Sequence, residues 1–247
     1  MIEAFYEDKV SFSSDEWQHL VMSDLDNGTP DGDLMVCLGQ LPGLMRRAQD
    51  AFTLADIDDI TYQRLLLDTY SLEKTFRPVL TQLRERWSAT QAYPSSAASL
   101  KPGLKRLIHC HHARMVAFGL AVAILINCVR DFLEYDTNEL REDSTRMARE
   151  MIEISDVVAV YRPLGNLSLT IFMGAAYVGT EDLGIKIEIE NRVMDFRRDF
   201  YGPDALLVIQ DPGWCFQRFA LADKTSPLYF GHDGRFDYAI ERHFTEA

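Results

Sequence analysis

The sequence predicts an all-α fold: an irregular helical bundle of about eight helices with two buried central helices. Three observations predict it. Apolar residues recur at helical spacing along most of the 247 residues, with little strand-like alternation. The run Met115–Val129 (MVAFGLAVAILINCV) is apolar on every side except at Asn127, the pattern of a helix buried all round. Breaks rich in proline and glycine separate the periodic stretches.

Taken in order, Ser13 and Glu16 have capping-box spacing and open a short helix through Trp17, Leu20 and Val21. Asn27–Gly32 (NGTPDG) reads as a loop from its turn residues. Leu34–Phe52 reads as two helical pieces broken at Leu41-Pro42-Gly43, because proline removes a donor and glycine loosens the backbone. Asp56–Trp87 is a long helix whose acidic start suits the positive end of the helix dipole, with a kink expected near Lys74 ahead of Pro78. Ser88–Gly103 reads as a linker or surface loop. Leu104–Tyr135 is a second long helix and holds the apolar run. Asn138–Ser155 is amphipathic, with Leu140, Met147, Met151 and Ile154 on its apolar face. Arg162–Gly165 is a break, Asn166–Tyr177 a largely apolar helix, and Leu183–Tyr201 a last helix stopped by Gly202-Pro203. Beyond it, Asp211–Gly213 and Gly231–Gly234 are turns, and a short hairpin near the C-terminus stays open. The expected organisation is a single helical domain over 1–247, with its core at 33–202 and a less regular segment at 203–247. No internal repeat is evident, which argues against a solenoid.

Composition narrows the function. With 25 basic and 38 acidic residues the net charge is −13, which repels phosphate backbones, so no direct nucleic-acid binding is expected. Cys37, Cys110, Cys128 and Cys215 lie far apart, suggesting neither a zinc ribbon nor a disulfide framework. The start, MIEAFYEDKV, lacks the features of a signal peptide, so the expected location is intracellular, cytoplasmic or nuclear. The apolar run falls short of the ~20 residues a span needs and is closed by Arg114 and Arg130, so no membrane span is expected. No nucleophile elbow, P-loop, dinucleotide fingerprint or zincin motif occurs. The carboxylates Asp56, Asp58, Asp59, Glu142 and Asp143 miss the spacing of a magnesium-binding terpene cyclase.

His109-Cys110-His111-His112 is the densest cluster of chemistry-bearing side chains. His109 and His112 share a helix face while His111 points away; two imidazoles without a third ligand leave no metal site to expect. His109 and His112 are therefore the candidates for acid–base work, and His112 also for ligand contact. Asn127 is either a structural bond to a neighbouring helix or a polar anchor in a greasy pocket. With His112 and Asn127, the candidate ligand-binding residues are Met115, Phe118, Phe172, Met173, Tyr177 and Trp214, although aromatic residues of a bundle are more often plain core. Arg130 and Asp131 read as a surface pair, and Arg162 as a cap on a carbonyl or a clamp on a carboxylate.

Three segments together resemble a known family. Leu38–Arg47 (LGQLPGLMRR) looks like an LPGLLRR element, and Arg64–Leu67 through Leu72 to Trp87 looks like the helix that follows it. Met147–Val193 is similar in layout to a block made of a helix, a PLG break, a buried helix and an Arg-containing helix. These features resemble the fungal-specific transcription factor domain that follows the Zn2Cys6 cluster of fungal regulators, over residues 34–200. The resemblance implies an all-helical fold, a regulatory role and, in some members, a hydrophobic effector. The closely spaced cysteines of the zinc cluster have no counterpart here, so the expected protein is a transcription-factor-like domain with no DNA-binding module of its own. Its expected partner is a hydrophobic small molecule, without a cofactor; a homodimer stays open. The alternative is a cofactor-independent cyclase or isomerase of the pericyclase type, from fungal secondary metabolism, using the same pocket. Catalysis by conformer selection and placed dipoles leaves almost no motif.

Overall fold

In a computed structural model, residues 28–53, 58–91, 102–134, 137–163 and 167–199 are described, and they form six helices without a strand. These are α1 (Pro30–Thr53), α2 (Asp59–Gln91), α3 (Pro102–Leu133), α4 (Asn138–Ala159), α5 (Leu167–Val178) and α6 (Leu183–Arg197). The expected helix at Ser13–Val21, Trp214 and the C-terminal turns lie outside the described residues.

The helix starts follow local chemistry. Gly28 takes φ 101°, a left-handed conformation that glycine adopts at no steric cost, and turns the chain into α1. Thr29 then caps the helix, its hydroxyl accepting from the Gly32 amide at 3.1 Å, and Pro30 stands where a missing donor costs nothing. The expected loop at 27–32 therefore ends three residues earlier, and Pro30–Gly32 are already helical. Asp58 caps α2 through the Thr61 amide at 2.8 Å, and these bonds hold its carboxyl below the usual range. Asp182 caps α6 in the same way, accepting from Gly184 and Ile185 at 2.9 and 3.2 Å.

One expected break is absent. Helix α1 runs through Leu41-Pro42-Gly43 as one element, because Leu34, Cys37, Leu41, Leu44, Met45 and Ala48 bury one continuous face across the proline. Proline costs a helix interior about 3 kcal/mol, while each buried large side chain returns about 1.5–3 kcal/mol. Helix α2 is one element through Pro78, as expected of a single long helix, and extends to Gln91, into what reads as linker in the sequence.

Successive helices run antiparallel, as their cross-links show. Arg47 late in α1 pairs with Asp68 early in α2. Tyr62 at the start of α2 donates to the Leu133 carbonyl at the end of α3, and Thr90 at the end of α2 meets His109 near the start of α3. Thr145 early in α4 meets Thr180 beyond α5 at 3.1 Å. Arg162 and Arg192 tie α4 to α6 through Asp195, Asp199 and Asp156. Arg162 thus both clamps carboxylates and donates to the Asp195 carbonyl, at 2.8 Å.

Helix α3 contacts α1, α2, α4 and α5. Ala113, Val116, Ala117, Leu120, Ala121, Val122, Ile124 and Leu125 have no exposed surface. At Gly179 a Cβ would fall 2.2 Å from Ile124 Cγ2, so glycine there lets the end of α5 close onto α3. Among the described residues α3 is the one helix long and apolar enough to cross a membrane, yet 67% of its most apolar window is buried by its neighbours.

Candidate functional site

The start of α3 gathers polar side chains from four other parts of the bundle. His109 Nδ1 lies 3.1 Å from Thr90 Oγ1, and the Thr90 hydroxyl donates to the Trp87 carbonyl at 2.6 Å. Its single proton being spent there, the hydroxyl accepts from His109, which leaves His109 Nε2 as an acceptor. The Tyr161 ring packs 6.2 Å away, and burial lowers the His109 pKa. On the other side, His111 Nε2 stands 3.2 Å from Asp31 Oδ2 at the start of α1, with Arg86 3.7 Å from the other oxygen. His111 does not point away from His112, because consecutive helical positions differ by only about 100°. The two rings lie 5.4 Å apart. Burial first, then the neighbouring His111, lowers the His112 pKa. Both His109 and His112 are therefore biased toward the neutral, proton-accepting form. Trp87 Nε1 is buried without a hydrogen-bond partner among the described residues.

From this end a stripe of incompletely covered side chains runs along α3. His112, Met115 and Phe118 follow at every third position, and all are half-buried, while the intervening Ala113, Val116 and Ala117 are fully covered. Phe118 stacks on Phe172 of α5 with ring centroids 4.7 Å apart and planes at 8°. One turn earlier on both helices, half-buried Arg114 donates through Nε to Ser168 Oγ at 3.1 Å. The structure thus brings together His112, Met115, Phe118 and Phe172 of the candidate set.

The remaining candidates lie elsewhere. Asn127 donates to Ser144 Oγ at 3.2 Å and to Asp143 Oδ2 at 3.3 Å, the structural alternative of the sequence reading. Met173 is wholly buried in the core. Tyr177 meets Glu190, and burial together with that contact pushes its phenol up to about 12; Lys186 sits 5.0 Å above its ring. Trp214 is outside the described residues.

A cleft of about 960 Å³ opens where α2 passes the end of α3 and the start of α4. Its lining is charged, with Arg77, Arg130 and Arg146 beside Glu134, Glu139, Glu142 and Asp143. Arg130 does not pair with Asp131 at the surface. It lies almost buried between Glu73 and Glu134, both at 2.8 Å, over the Tyr70 ring, while Asp131 pairs with Arg141. Among the described residues no group of three or more His, Cys, Asp or Glu side chains is placed to hold a metal ion.

Sequence reasoning missed Arg114 and Ser168 as site residues. Arg114 read only as the boundary of the apolar run, and Ser168 lies 54 residues away, a pairing that no local spacing announces. The chain matches no family model, no curated protein and no solved structure.

Proposed function

We propose that this chain is a transcription-factor-like regulatory domain of helical type that binds a hydrophobic small-molecule effector. The observation that supports the reading is the half-covered stripe His112–Met115–Phe118, set among fully covered residues in the middle of a largely buried helix. A bundle normally closes its central helix, so an apolar stripe left partly open beside a stacked aromatic pair offers area that a ligand buries on binding. Small-molecule sites combine such apolar walls with few polar groups, here His112 and Arg114. The fungal regulatory resemblance of residues 34–200 and the charge of −13, unsuited to phosphate backbones, accord with this role.

A second reading, a cofactor-independent cyclase or isomerase on the same stripe, draws on one observation. The lowered pKa values of His109 and His112 favour neutral imidazoles, the form a general base needs. Either occupant would be a hydrophobic molecule, and only the second reading requires turnover.

The test is native mass spectrometry of the purified chain after incubation with an extract of its source, beside thermal unfolding with and without dodecanol. The reading expects a retained small molecule that the Phe118→Ala variant loses, and a rise in unfolding temperature as ligand binds the folded state. Nothing retained, together with a temperature indifferent to dodecanol, would overturn it. A retained molecule returned chemically altered would favour the enzyme.

A further inference from the structure

We infer that Arg114 and Ser168 seat the head group of an amphipathic monocarboxylate whose apolar part lies along Met115, Phe118 and Phe172. This rests on the stripe being the binding face, as proposed above.

The inference starts from charge. In a chain of net charge −13, arginines find carboxylates easily. Arg47, Arg77, Arg84, Arg86, Arg130, Arg141, Arg146, Arg149, Arg162, Arg192 and Arg198 all have one. Arg114 is half-buried, and its one partner among the described residues is the neutral Ser168 hydroxyl, reached through Nε. Toward the described residues the two terminal nitrogens of its guanidinium keep their donors, the edge that matches a carboxylate bidentately. A half-buried cation with only a neutral partner is costly unless an anion completes it.

A second, independent feature points to the same charge. Ser168 lies in the first turn of α5, which contains no acidic residue, so the amides of that turn present the positive end of the helix dipole beside Arg114. The third feature is register. Arg114 and Phe118 are one turn apart on α3, as are Ser168 and Phe172 on α5, so a charged rung stands directly before an aromatic one. A molecule with an anionic head and an apolar body fits that order. The single guanidinium matches one negative charge; a dianionic phosphate would carry a second into an already acidic protein.

The test is isothermal titration of the full chain with dodecanoate and, separately, with dodecanol. The inference predicts that dodecanoate binds more tightly than dodecanol, and that Arg114→Gln weakens dodecanoate by about ten- to a hundredfold while leaving dodecanol within about twofold. Arg114→Lys, which keeps the charge but not the fork, should recover part of the loss. Dodecanol binding as tightly as dodecanoate, with Arg114→Gln indifferent to both, would overturn the carboxylate and leave the hydrophobic site standing. Failure of both probes to bind would overturn the site and the head-group assignment together.

Discussion

The cleft at the end of α3 and the stripe at its start both carry arginines, and the two sets are in opposite situations. In the cleft, Arg130 is held between Glu73 and Glu134, Arg77 reaches Glu73, and Arg146 reaches Asp143. Its arginines are already compensated, so its volume of about 960 Å³ marks a gap beside paired side chains. On the stripe, Arg114 has only a hydroxyl among the described residues, and Met115 and Phe118 are incompletely covered. The difference teaches that unspent interactions, rather than volume, separate a binding face from a structural crevice. The cleft network ties α2 to α3; on the stripe, among the described residues, Arg114 has no carboxylate partner.

Mutations can break this contrast. The largest effect is expected at the cleft. Arg130→Met leaves Glu134 without its partner and Glu73 with only the exposed Arg77, and should cost about 3–5 kcal/mol by urea unfolding. A cost below about 1 kcal/mol would mean that the network is screened like a surface pair. Next comes the sealed stretch of α3. Gly179→Ala places a Cβ against Ile124 and should cost about 1–3 kcal/mol, more than Gly119→Ala, where the nearest atom is the flexible Leu80 Cδ1 at 3.0 Å. On the open stripe, Met115→Ala should cost only about 1 kcal/mol, well below a fully buried methionine, because its surroundings are partly solvent already. Equal costs at 115 and 179 would close the stripe.

The pH response sharpens the same contrast. His109 and His112 have pKa values lowered in the folded protein, so between the folded and unfolded values the unfolded chain binds more protons. Their contribution to stability is complete above the unfolded value of about 6.5 and declines as pH falls toward the folded values. The unfolding temperature should therefore drop between pH 7.5 and 5.5, and drop less in a His109→Gln, His112→Gln variant. An identical decline in both proteins would contradict the burial of these imidazoles. Smallest of all, Arg146→Ala at the exposed rim of the cleft should change stability by no more than about 0.5–1 kcal/mol.

The helical class was legible because α3 announces itself: an unbroken apolar run admits no exposed face. Pro42 misled because local propensity was weighed without tertiary burial, and the continuous face from Leu34 to Ala48 outweighs one lost hydrogen bond. Pro30 misled in the opposite way, since a turn residue in the sequence is also a good first helical residue behind a threonine cap. For the site, Met115, Phe118 and Phe172 were legible as apolar residues of the two greasiest helices. That they form one stripe, while Met173 sits in the core and Asn127 serves α4, depends on how α5 and α4 are rotated against α3. Such rotation is written in pair contacts like Arg114–Ser168 and Asn127–Ser144, and in no single segment.

The most direct test of the open stripe is methyl NMR of the chain labelled at its methionines, titrated with dodecanol and then with dodecanoate. Met115 should shift with both probes, while Met147, Met151 and Met173, buried at 4%, 0% and 0% exposure, hold their positions. A stationary Met115, or shifts confined to the core methionines, would contradict the assignment of this face as the place where a ligand sits.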